Sequence, residues 1–330
     1  MGALILSEAE VTEHLTMPEC IEAMAGALGG LARGEAHMPL RSVLRGPGSE
    51  GMLGLMPAYR GGSAPAYSLK AVCIFPANPA RGLDSHQGTV TLFDGETGRP
   101  TAVMNASALT AIRTAAVSAL ATRLLARTDA ATLAIIGSGV QARAHLRALS
   151  LVRGFTDVRV HSPNAERARA FADAARRTHG GEVAVRACAS AREALDGADV
   201  VVTATNSREP VIEHGWLAPG AHVNAIGASV PSAREIDVAT VAAAELFVDS
   251  RESAANEAGE YRLALEQGAI GPEHIRAELG ELVIGTHPGR SGADALTLFR
   301  SLGLAVEDLA AAELVLAGAR RARAGVEVEL

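Results

Sequence analysis

Lysine is almost absent from this sequence. Among its 30 lysine and arginine residues, Lys70 is the one lysine. Arginine carries a planar guanidinium that stays charged in proteins, whereas the lysine ammonium is a compact charge whose pKa shifts readily on burial. A lone lysine in such a sequence predicts a position that requires an ammonium group. The alternative is a surface lysine that has survived by chance.

Basic stripes and patterned cysteines are also missing. The net charge is -7 and no segment concentrates basic residues, which argues against nucleic acid as a partner because phosphate binding needs clustered Lys and Arg. The three cysteines are widely scattered, with the spacing of neither a disulfide framework nor a metal site. We therefore expect free thiols and no bound metal.

Long apolar segments are lacking as well. Four apolar residues precede the first charge and no basic segment comes before them, which does not fit a secretory signal. No run approaches the roughly 20 apolar residues that span a bilayer. We expect a soluble, cytoplasmic protein without a membrane partner.

What is present indicates two domains, because the chain has 330 residues and 48% of them are hydrophobic. From residue 132, short apolar segments alternate with helical stretches rich in Ala and Arg, the pattern of a parallel sheet covered by helices. Predicted strands are 132–136, 157–160, 183–185, 199–203, 222–226 and 244–248, and predicted helices include 141–150 and 165–177. The expected fold class is α/β, with a Rossmann-type doubly wound sheet.

The residues before this region predict an α+β domain. Up to about residue 118, two helical patterns accompany alternating segments at 67–75 and 89–93, as in an antiparallel sheet with helices. Segment 298–324 has the amphipathic spacing of one long helix that begins near Leu302 and can pack back onto this domain. The predicted domains are 1–118 with 303–330, and 119–302.

A glycine-rich turn follows the first strand of the predicted parallel sheet. Gly137, Gly139 and Ala142 form the pattern G-x-G-x-x-A at the start of a helix, and Val140 and Gln141 lie within it. The two glycines permit a tight turn and a close backbone approach to a pyrophosphate, and the alanine keeps helix and strand together. The helix N-terminus adds N–H donors. The pattern predicts a bound dinucleotide; the alternative is a glycine turn without one.

The end of the second predicted strand bears on the choice of nucleotide. Enzymes that select NAD place an acidic residue there to hold the ribose diol. Here the chain reads H-S-P-N at 161–164, so no carboxylate repels a 2'-phosphate, and Ser162 with Arg167 can accept one. We expect NADP(H) in preference to NAD(H), with a loose fit to either nucleotide as the alternative.

Several segments, in order along nearly the whole chain, carry a resemblance to a known family. They read G-M-L-G-L-M-P-A-Y at 51–59, S-H-Q-G at 85–88 and R-T-A-A-V-S at 113–118, with further matches at 135–142, 221–229 and 297–308. Together they resemble the ornithine cyclodeaminase and mu-crystallin family. The resemblance implies an NAD(P)-dependent homodimer whose N-terminal domain, completed by the C-terminal helix, forms the dimer interface and the substrate pocket.

The resemblance also implies a set of cations that bind the substrate carboxylate. The matching positions are Arg41, Lys70 and Arg113, so the lone lysine falls on one of them. Arginine suits bidentate carboxylate binding, and the lysine can also exchange a proton with the reacting nitrogen. The alternatives are a surface ion pair for Arg41 and a cofactor-phosphate contact for Arg113.

Further site residues follow from the same resemblance. Asp308 is expected to be catalytic by orienting Lys70 or the nicotinamide, the alternative being a first-turn acid that complements the helix dipole. His86 can act as a general acid, but a structural hydrogen bond is the favoured interpretation. Glu235 and Asp237 are interpreted as ordinary loop carboxylates. Additional expected cofactor contacts are Thr114, Gln141, Thr203, Ser229, Ser301 and Gly303.

Departures from the family pattern decide the expected reaction. Ornithine cyclodeaminases place a Glu and an Asp at the positions that correspond here to Gly54 and Ser229. Without these carboxylates nothing evident binds a second ammonium group. We therefore expect NAD(P)H-dependent reduction of the C=N bond of a small 2-imino acid. The substrate is either a cyclic ketimine or the imine formed in a reductive amination, as in alanine dehydrogenases. The alternatives are a cyclodeaminase that releases ammonia and a mu-crystallin-like ligand-binding protein without chemistry.

Overall fold

The protein, seen in a computed structural model, is described here over residues 2–178, 183–227 and 230–330. Its contacts divide it into two units, one of Met1–Ala116 with Gly303–Leu330 and the other of Val117–Leu302. The division falls two residues before the expected position at 118.

The strands of the described residues are, in chain order, β1 (Ala3–Leu6), β2 (Ala36–His37), β3 (Ser42–Leu44), β4 (Met52–Arg60), β5 (Ala66–Ile74), β6 (His86–Asp94), β7 (Pro100–Asn105), β8 (Thr132–Ile136), β9 (Asp157–His161), β10 (Ala184–Ala187), β11 (Val200–Thr203), β12 (His222–Ala225), β13 (Glu245–Val248), β14 (Ile275–Glu278), β15 (Thr297–Arg300) and β16 (Val326–Val328).

The α-helices of the same residues are α1 (Glu8–His14), α2 (Met17–Ala32), α3 (Ala106–Leu125), α4 (Val140–Leu149), α5 (Ala165–Thr178), α6 (Ala191–Leu195), α7 (Val238–Ala243), α8 (Arg251–Glu257), α9 (Gly259–Glu266), α10 (Leu279–Val283) and α11 (Ala305–Ala322). Short 3-10 turns occur at Asn78–Arg81, His214–Trp216 and Pro272–His274.

The first unit is built on a mixed sheet in the order β16-β1-β7-β6-β5-β4-β2, with β3 also paired to β4. Strands β4 to β7 are antiparallel neighbours, whereas β1 runs parallel to β7. Helix α11 packs against β4, β5 and β6, and also against α2. The expected α+β domain with its C-terminal helix is confirmed, although the parallel pairing of β1 was not foreseen.

The second unit contains a wholly parallel sheet in the order β10-β9-β8-β11-β12-β15-β13-β14. Its first five strands follow the order of a doubly wound nucleotide-binding fold, because β8 lies between β9 and β11 and the chain reverses direction across the sheet there. The expected fold class is confirmed, and each predicted strand lies within two residues of an observed one.

The expected C-terminal helix beginning near Leu302 is confirmed by α11, but a strand that was not predicted precedes it. Residues Thr297–Arg300 form strand β15 between β12 and β13, and α11 begins at Ala305. Leu298 and Phe299 are both 0% exposed, because a central parallel strand is covered on both faces. A short apolar segment of this kind fits a buried strand and a helix turn equally well by periodicity, which explains why the strand was not predicted.

By length and composition alone, α3 would be long and apolar enough to cross a membrane. However, 72% of its most apolar segment is buried within the protein, which is typical of a core helix. Arg113 and Arg123 interrupt the apolar residues of this helix, so the sequence shows no uninterrupted apolar run of spanning length there.

Candidate active site

Lys70 lies in the middle of β5, on the face of the sheet that the helices cover. Its register partners are Met56 on β4 and Val90 on β6. Side chains alternate across a strand, so the buried neighbours Ser68 and Val72 share the face of Lys70. The lysine is 3% exposed, which places a charged group where the pattern would otherwise put an apolar one.

Asp308 links this lysine to an arginine. One of its carboxylate oxygens, Oδ2, lies 2.7 Å from Lys70 Nζ, and the other, Oδ1, accepts a hydrogen bond of 2.9 Å from Arg113 Nε. Arg113 Nη1 is in turn 2.7 Å from Glu307 Oε2. Both carboxylates belong to the first turn of α11, where the helix dipole favours negative charge.

Arg41 completes the arrangement by donating a hydrogen bond of 2.9 Å from Nη2 to the carbonyl of Gly303. Gly303 has φ +78, and a Cβ there would lie 2.6 Å from Arg113 Nη1. Glycine is therefore required both for the backbone conformation and for the close approach of the guanidinium.

We call Arg41, Lys70, Arg113, Glu307 and Asp308 the charge cluster. It brings three cations and two carboxylates together, and Lys70 and Arg113 are buried whereas Arg41 is half-buried. Guanidinium and ammonium groups form strong charge-assisted hydrogen bonds with carboxylates. The cluster is therefore suited to bind one further carboxylate.

The electrostatics of the charge cluster set the protonation of Lys70. Burial, together with the positive charges of Arg113 and Arg41, lowers the pKa of Lys70 to about 8, although Asp308 acts in the opposite direction. Burial alone would raise the pKa of Asp308, but the Arg113 and Lys70 cations outweigh it and hold the pKa below its usual range. Asp308 is thus an anion, and Lys70 exchanges its proton close to neutral pH.

In the second unit the glycine turn has the geometry of a dinucleotide cradle. Gly137 has φ +127, and a Cβ on it would lie 2.5 Å from the carbonyl oxygen of Ala204. A Cβ on Gly139 would meet nothing within 4 Å. Gly139 is also the N-cap of α4, so no capping side chain occupies the N–H groups at the start of this helix. The backbone there is open to an anionic group, so the turn fits a pyrophosphate.

The other residues of this turn have distinct surroundings. Ala142 is 0% exposed and Val140 is 60% exposed, so the first packs the helix on the sheet and the second faces outward. Gln141 Oε1 is buried and has no hydrogen-bond partner among the described residues. Ser138 and Ser162 are joined through their hydroxyls at 3.2 Å. The turn thus lies beside the end of β9, where the ribose was expected.

The other residues expected to contact the cofactor differ from one another in burial and in hydrogen bonding. Thr114 and Ser301 are buried, and Ser301 Oγ has no hydrogen-bond partner within the described part of the chain. The hydroxyl of Thr203 donates to Glu235 at 2.9 Å. Ser229 lies outside the described residues. The roles of these residues stay predictions.

Glu235 is not the ordinary loop carboxylate that the sequence suggested. It is 1% exposed and accepts hydrogen bonds from Thr203, Thr205 and Gly227. Sequence reasoning missed it because its partners lie on two other segments, and no local pattern marks them. Asp237, by contrast, is the N-cap of α7, where it accepts from the Thr240 N–H at 3.1 Å.

The role of His86 stays a prediction: its side chain makes a hydrogen-bond contact, while burial and the nearby charges of Lys70 and Arg113 lower its pKa. Its Nδ1 lies 3.0 Å from the hydroxyl of Ser85, and its carbonyl accepts a hydrogen bond from Ser107. These contacts lie at the first residue of β6.

Comparison with known proteins identifies the family. The sequence model of the ornithine cyclodeaminase/mu-crystallin family matches residues 1–322. The chain is 40% identical over 314 residues to the ketimine reductase mu-crystallin of Mus musculus, a match that covers 94% of this chain and 95% of the relative. The chain belongs to this family.

Solved structures agree over the whole length. A Δ1-pyrroline-2-carboxylate reductase of Thermococcus litoralis, in complex with NADH and L-proline, superposes with a TM-score of 0.95 at 37% identity and covers 98% of this chain and 100% of its own. An archaeal alanine dehydrogenase dimer with bound NAD gives a TM-score of 0.93 at 34% identity, with 100% of both chains covered. The full architecture is therefore shared with nicotinamide-binding members of the family.

Proposed function

We propose that the chain is an NAD(P)H-dependent oxidoreductase that reduces the C=N bond of a small 2-imino acid. Its substrate class is a cyclic ketimine such as 1-pyrroline-2-carboxylate or 1-piperideine-2-carboxylate, or the imine formed from pyruvate and ammonia. The observation that carries the proposal is the gathering of three cations, Arg41, Lys70 and Arg113, in the charge cluster, since cations of this kind bind the carboxylate that these substrates share.

The cationic residues have separable tasks. Arg113 is held by Asp308 and Glu307, so its guanidinium has a fixed orientation for binding a carboxylate. Arg41 adds a second guanidinium. Lys70 contributes a charge to the same carboxylate and, with a pKa of about 8, is protonated at neutral pH and able to release its proton.

Reduction of C=N requires one hydride at carbon and one proton at nitrogen. A reduced nicotinamide dinucleotide, with its pyrophosphate held at the glycine turn, would supply the hydride. The chain supplies the proton from Lys70 Nζ, directly or through a water molecule, and Asp308 holds the ammonium in place. Protonation of the imine nitrogen makes the carbon more electrophilic, so proton donation by Lys70 accelerates hydride transfer to that carbon.

The test follows oxidation of NADPH and NADH optically with 1-pyrroline-2-carboxylate, 1-piperideine-2-carboxylate, and pyruvate with ammonia. We expect turnover of at least one substrate and a loss of about a hundredfold or more in Lys70→Ala. The matched control is Arg99→Ala, which changes an exposed cation on the same unit and leaves turnover intact. Absence of turnover with all three substrates and both nucleotides would contradict the proposal.

The cyclodeaminase alternative is distinguished by its product. Gly54 is buried on β4 and has no side chain, so this position carries no carboxylate for a distal amine. Release of ammonia from a diamino acid, without net change of the nucleotide, would favour that reaction. Ligand binding without turnover of any substrate would favour a non-enzymatic role.

We propose NADP(H) as the preferred nucleotide. The support is the hydroxyl of Ser162, which lies next to the glycine turn through Ser138, and the exposed Arg167 in the following helix. Ser162→Asp should weaken binding of NADPH by about tenfold relative to NADH, because the carboxylate repels a 2'-phosphate. Equal dissociation constants of the unmodified protein for the two nucleotides would contradict this preference.

We further propose a cytoplasmic homodimer. The sheet of the first unit has a second face, opposite Lys70, on which Leu55, Leu69 and Tyr67 alternate with the buried residues. Tyr67 is 48% exposed, and apolar surface of this kind marks interaction sites. A second copy of the chain is the occupant because an archaeal relative is a dimer. The free thiols of the described chain are in keeping with a reducing compartment.

A further inference from the structure

Glu235 is a buried carboxylate whose four close contacts are all uncharged donors. Oε1 accepts from the N–H of Thr205 at 2.6 Å and from its hydroxyl at 2.7 Å. Oε2 accepts from the hydroxyl of Thr203 at 2.9 Å and from the N–H of Gly227 at 2.6 Å. These four donors fill the hydrogen-bonding capacity of the two carboxylate oxygens.

These contacts join the carboxyl ends of two neighbouring strands. Thr203 is the last residue of β11, Gly227 follows the end of β12, and the two strands are paired in parallel. Gly227 has no room for a side chain, because a Cβ there would lie 2.0 Å from the carbonyl oxygen of Thr205. Glu235 therefore fixes the spacing of the two segments that follow these strands.

The same segments form one wall of the glycine turn. Ala204 lies between the two threonines that bind Glu235, and its carbonyl oxygen is the atom that a Cβ on Gly137 would approach to 2.5 Å. Strand β8, which leads into the turn, is paired with β11 so that Ile136 lies opposite Thr203. Any shift of segment 203–205 consequently moves the surface against which the turn is packed.

We propose that Glu235 is a positioning residue for the nicotinamide dinucleotide, and that its buried charge also favours the oxidised over the reduced form. In doubly wound folds the ligand binds outside the carboxyl ends of the strands, where Glu235 holds the backbone. The oxidised nicotinamide ring carries a positive charge that the reduced ring lacks, and a carboxylate near this edge with no cation among its hydrogen-bond partners attracts it. This inference rests on the nicotinamide cofactor of the proposed function and on none of its substrates.

The test measures dissociation constants for the oxidised and reduced nucleotide by calorimetry, well below the unfolding temperature. In Glu235→Gln an amide N–H₂ replaces one oxygen, so either the Thr205 or the Gly227 N–H faces a donor. We expect binding of the reduced form to weaken about tenfold. Loss of the charge should weaken the oxidised form about fivefold more.

Two further variants separate position from charge. Glu235→Asp keeps the charge but is one methylene shorter, so both forms should weaken together with an unchanged ratio. Glu209→Gln makes the same chemical change at an exposed ion pair with Arg234 and should bind both forms like the unmodified protein.

The measured affinities distinguish failure of this inference from failure of the proposed function. Unchanged affinities in Glu235→Gln, or an equal loss for both forms, would overturn the inference. If Glu235→Gln does not fold, Thr205→Val decides, since it removes the hydroxyl that donates to Glu235 and accepts from the Ser207 N–H, and should weaken binding about threefold; wild-type affinity there would also overturn the inference. If the unmodified protein binds neither nucleotide, the proposed function itself fails.

Discussion

The lone lysine occupies a position that is unfavourable for its charge. Its pKa falls from an ordinary 10.5 to about 8, mainly through burial, which corresponds to about 3 kcal/mol against the ammonium form. Because the folded pKa lies below the unfolded one, this penalty is fully present below pH 8 and disappears as the pH rises towards 10.5. Lys70 is therefore better explained by the chemistry of the site than by stability.

The titration of Lys70 predicts a pH dependence of the reaction. The protonated form binds the carboxylate and donates the proton, so kcat/KM should fall as the pH rises through about 8. Asp308 raises the pKa of Lys70, and Asp308→Asn should therefore move the alkaline limb to lower pH by about one unit. Steady-state rates between pH 6 and 10, on the order of ten points, would show the shift.

The control for this experiment is Glu313→Gln. Glu313 lies on the same helix as Asp308 but pairs with Arg60, at 34% and 36% side-chain exposure. Its profile should match that of the unmodified protein, and titration of the substrate imine affects all three proteins equally. An alkaline limb that stays in place in Asp308→Asn would contradict the role of this carboxylate.

At the scale of elements, substitutions at the two glycines of the glycine turn should separate effects on stability from effects on nucleotide binding. A methyl group on Gly139 meets nothing in the structure and its φ of -82 suits alanine, so Gly139→Ala should unfold at an unchanged temperature. The methyl group nevertheless occupies the approach of the pyrophosphate, and nucleotide affinity should fall about tenfold or more. Gly137→Ala should lose both stability and binding, because its Cβ collides with the carbonyl of Ala204.

Calorimetric unfolding and nucleotide titration of both variants would check this separation. Wild-type affinity in Gly139→Ala would contradict the assignment of the turn as the pyrophosphate site.

The C-terminal end of α3 illustrates how one side chain stabilises an element. Arg153 donates from Nη2 to the carbonyls of Thr122, Arg123 and Ala126, and from Nε to that of Arg127. The last carbonyls of a helix have no partner within the helix, and a cation there also complements the dipole.

Replacing this arginine should destabilise the protein without affecting the site. We expect Arg153→Ala to lower the free energy of unfolding by about 2 kcal/mol, or the unfolding temperature by roughly 4–8 °C, because four carbonyls lose a charged donor. Thermal unfolding checks this, with Arg169→Ala as the control because that arginine is exposed on α5. Equal unfolding temperatures of the two variants would contradict the capping role.

At the scale of the whole molecule, the apolar face of the first unit bears on assembly. The double variant Tyr67→Asp and Leu69→Asp puts two charges on the proposed dimer face, and light scattering after size exclusion should report a monomer in place of a dimer. Leu151→Asp is the control, since this leucine is 53% exposed in the second unit. A double variant that remains a dimer would show that another surface forms the interface.

Local pattern was enough for much of the fold. Six of the eight strands of the doubly wound sheet, and the turn at Gly137, depend on residues close together in the chain, and they were predicted within two residues, whereas β14 and β15 were not predicted. Strand β15 was misread because burial on both faces removes the alternation that identifies a strand. The parallel pairing of β1 with β7 was missed because it joins segments about a hundred residues apart.

The sequence by itself determined which residues are chemically suited to the site: a single lysine, two arginines and a glycine turn, each recognisable from residue type and from resemblance to the family. Only the tertiary structure decided that Asp308 is shared between Lys70 and Arg113. The hydrogen bond from Arg113 to Asp308 joins residues 195 positions apart in the chain. It also showed Glu235 as a buried anchor. The physical reason is that burial and hydrogen bonding depend on which segments the fold brings together, and no local periodicity records that.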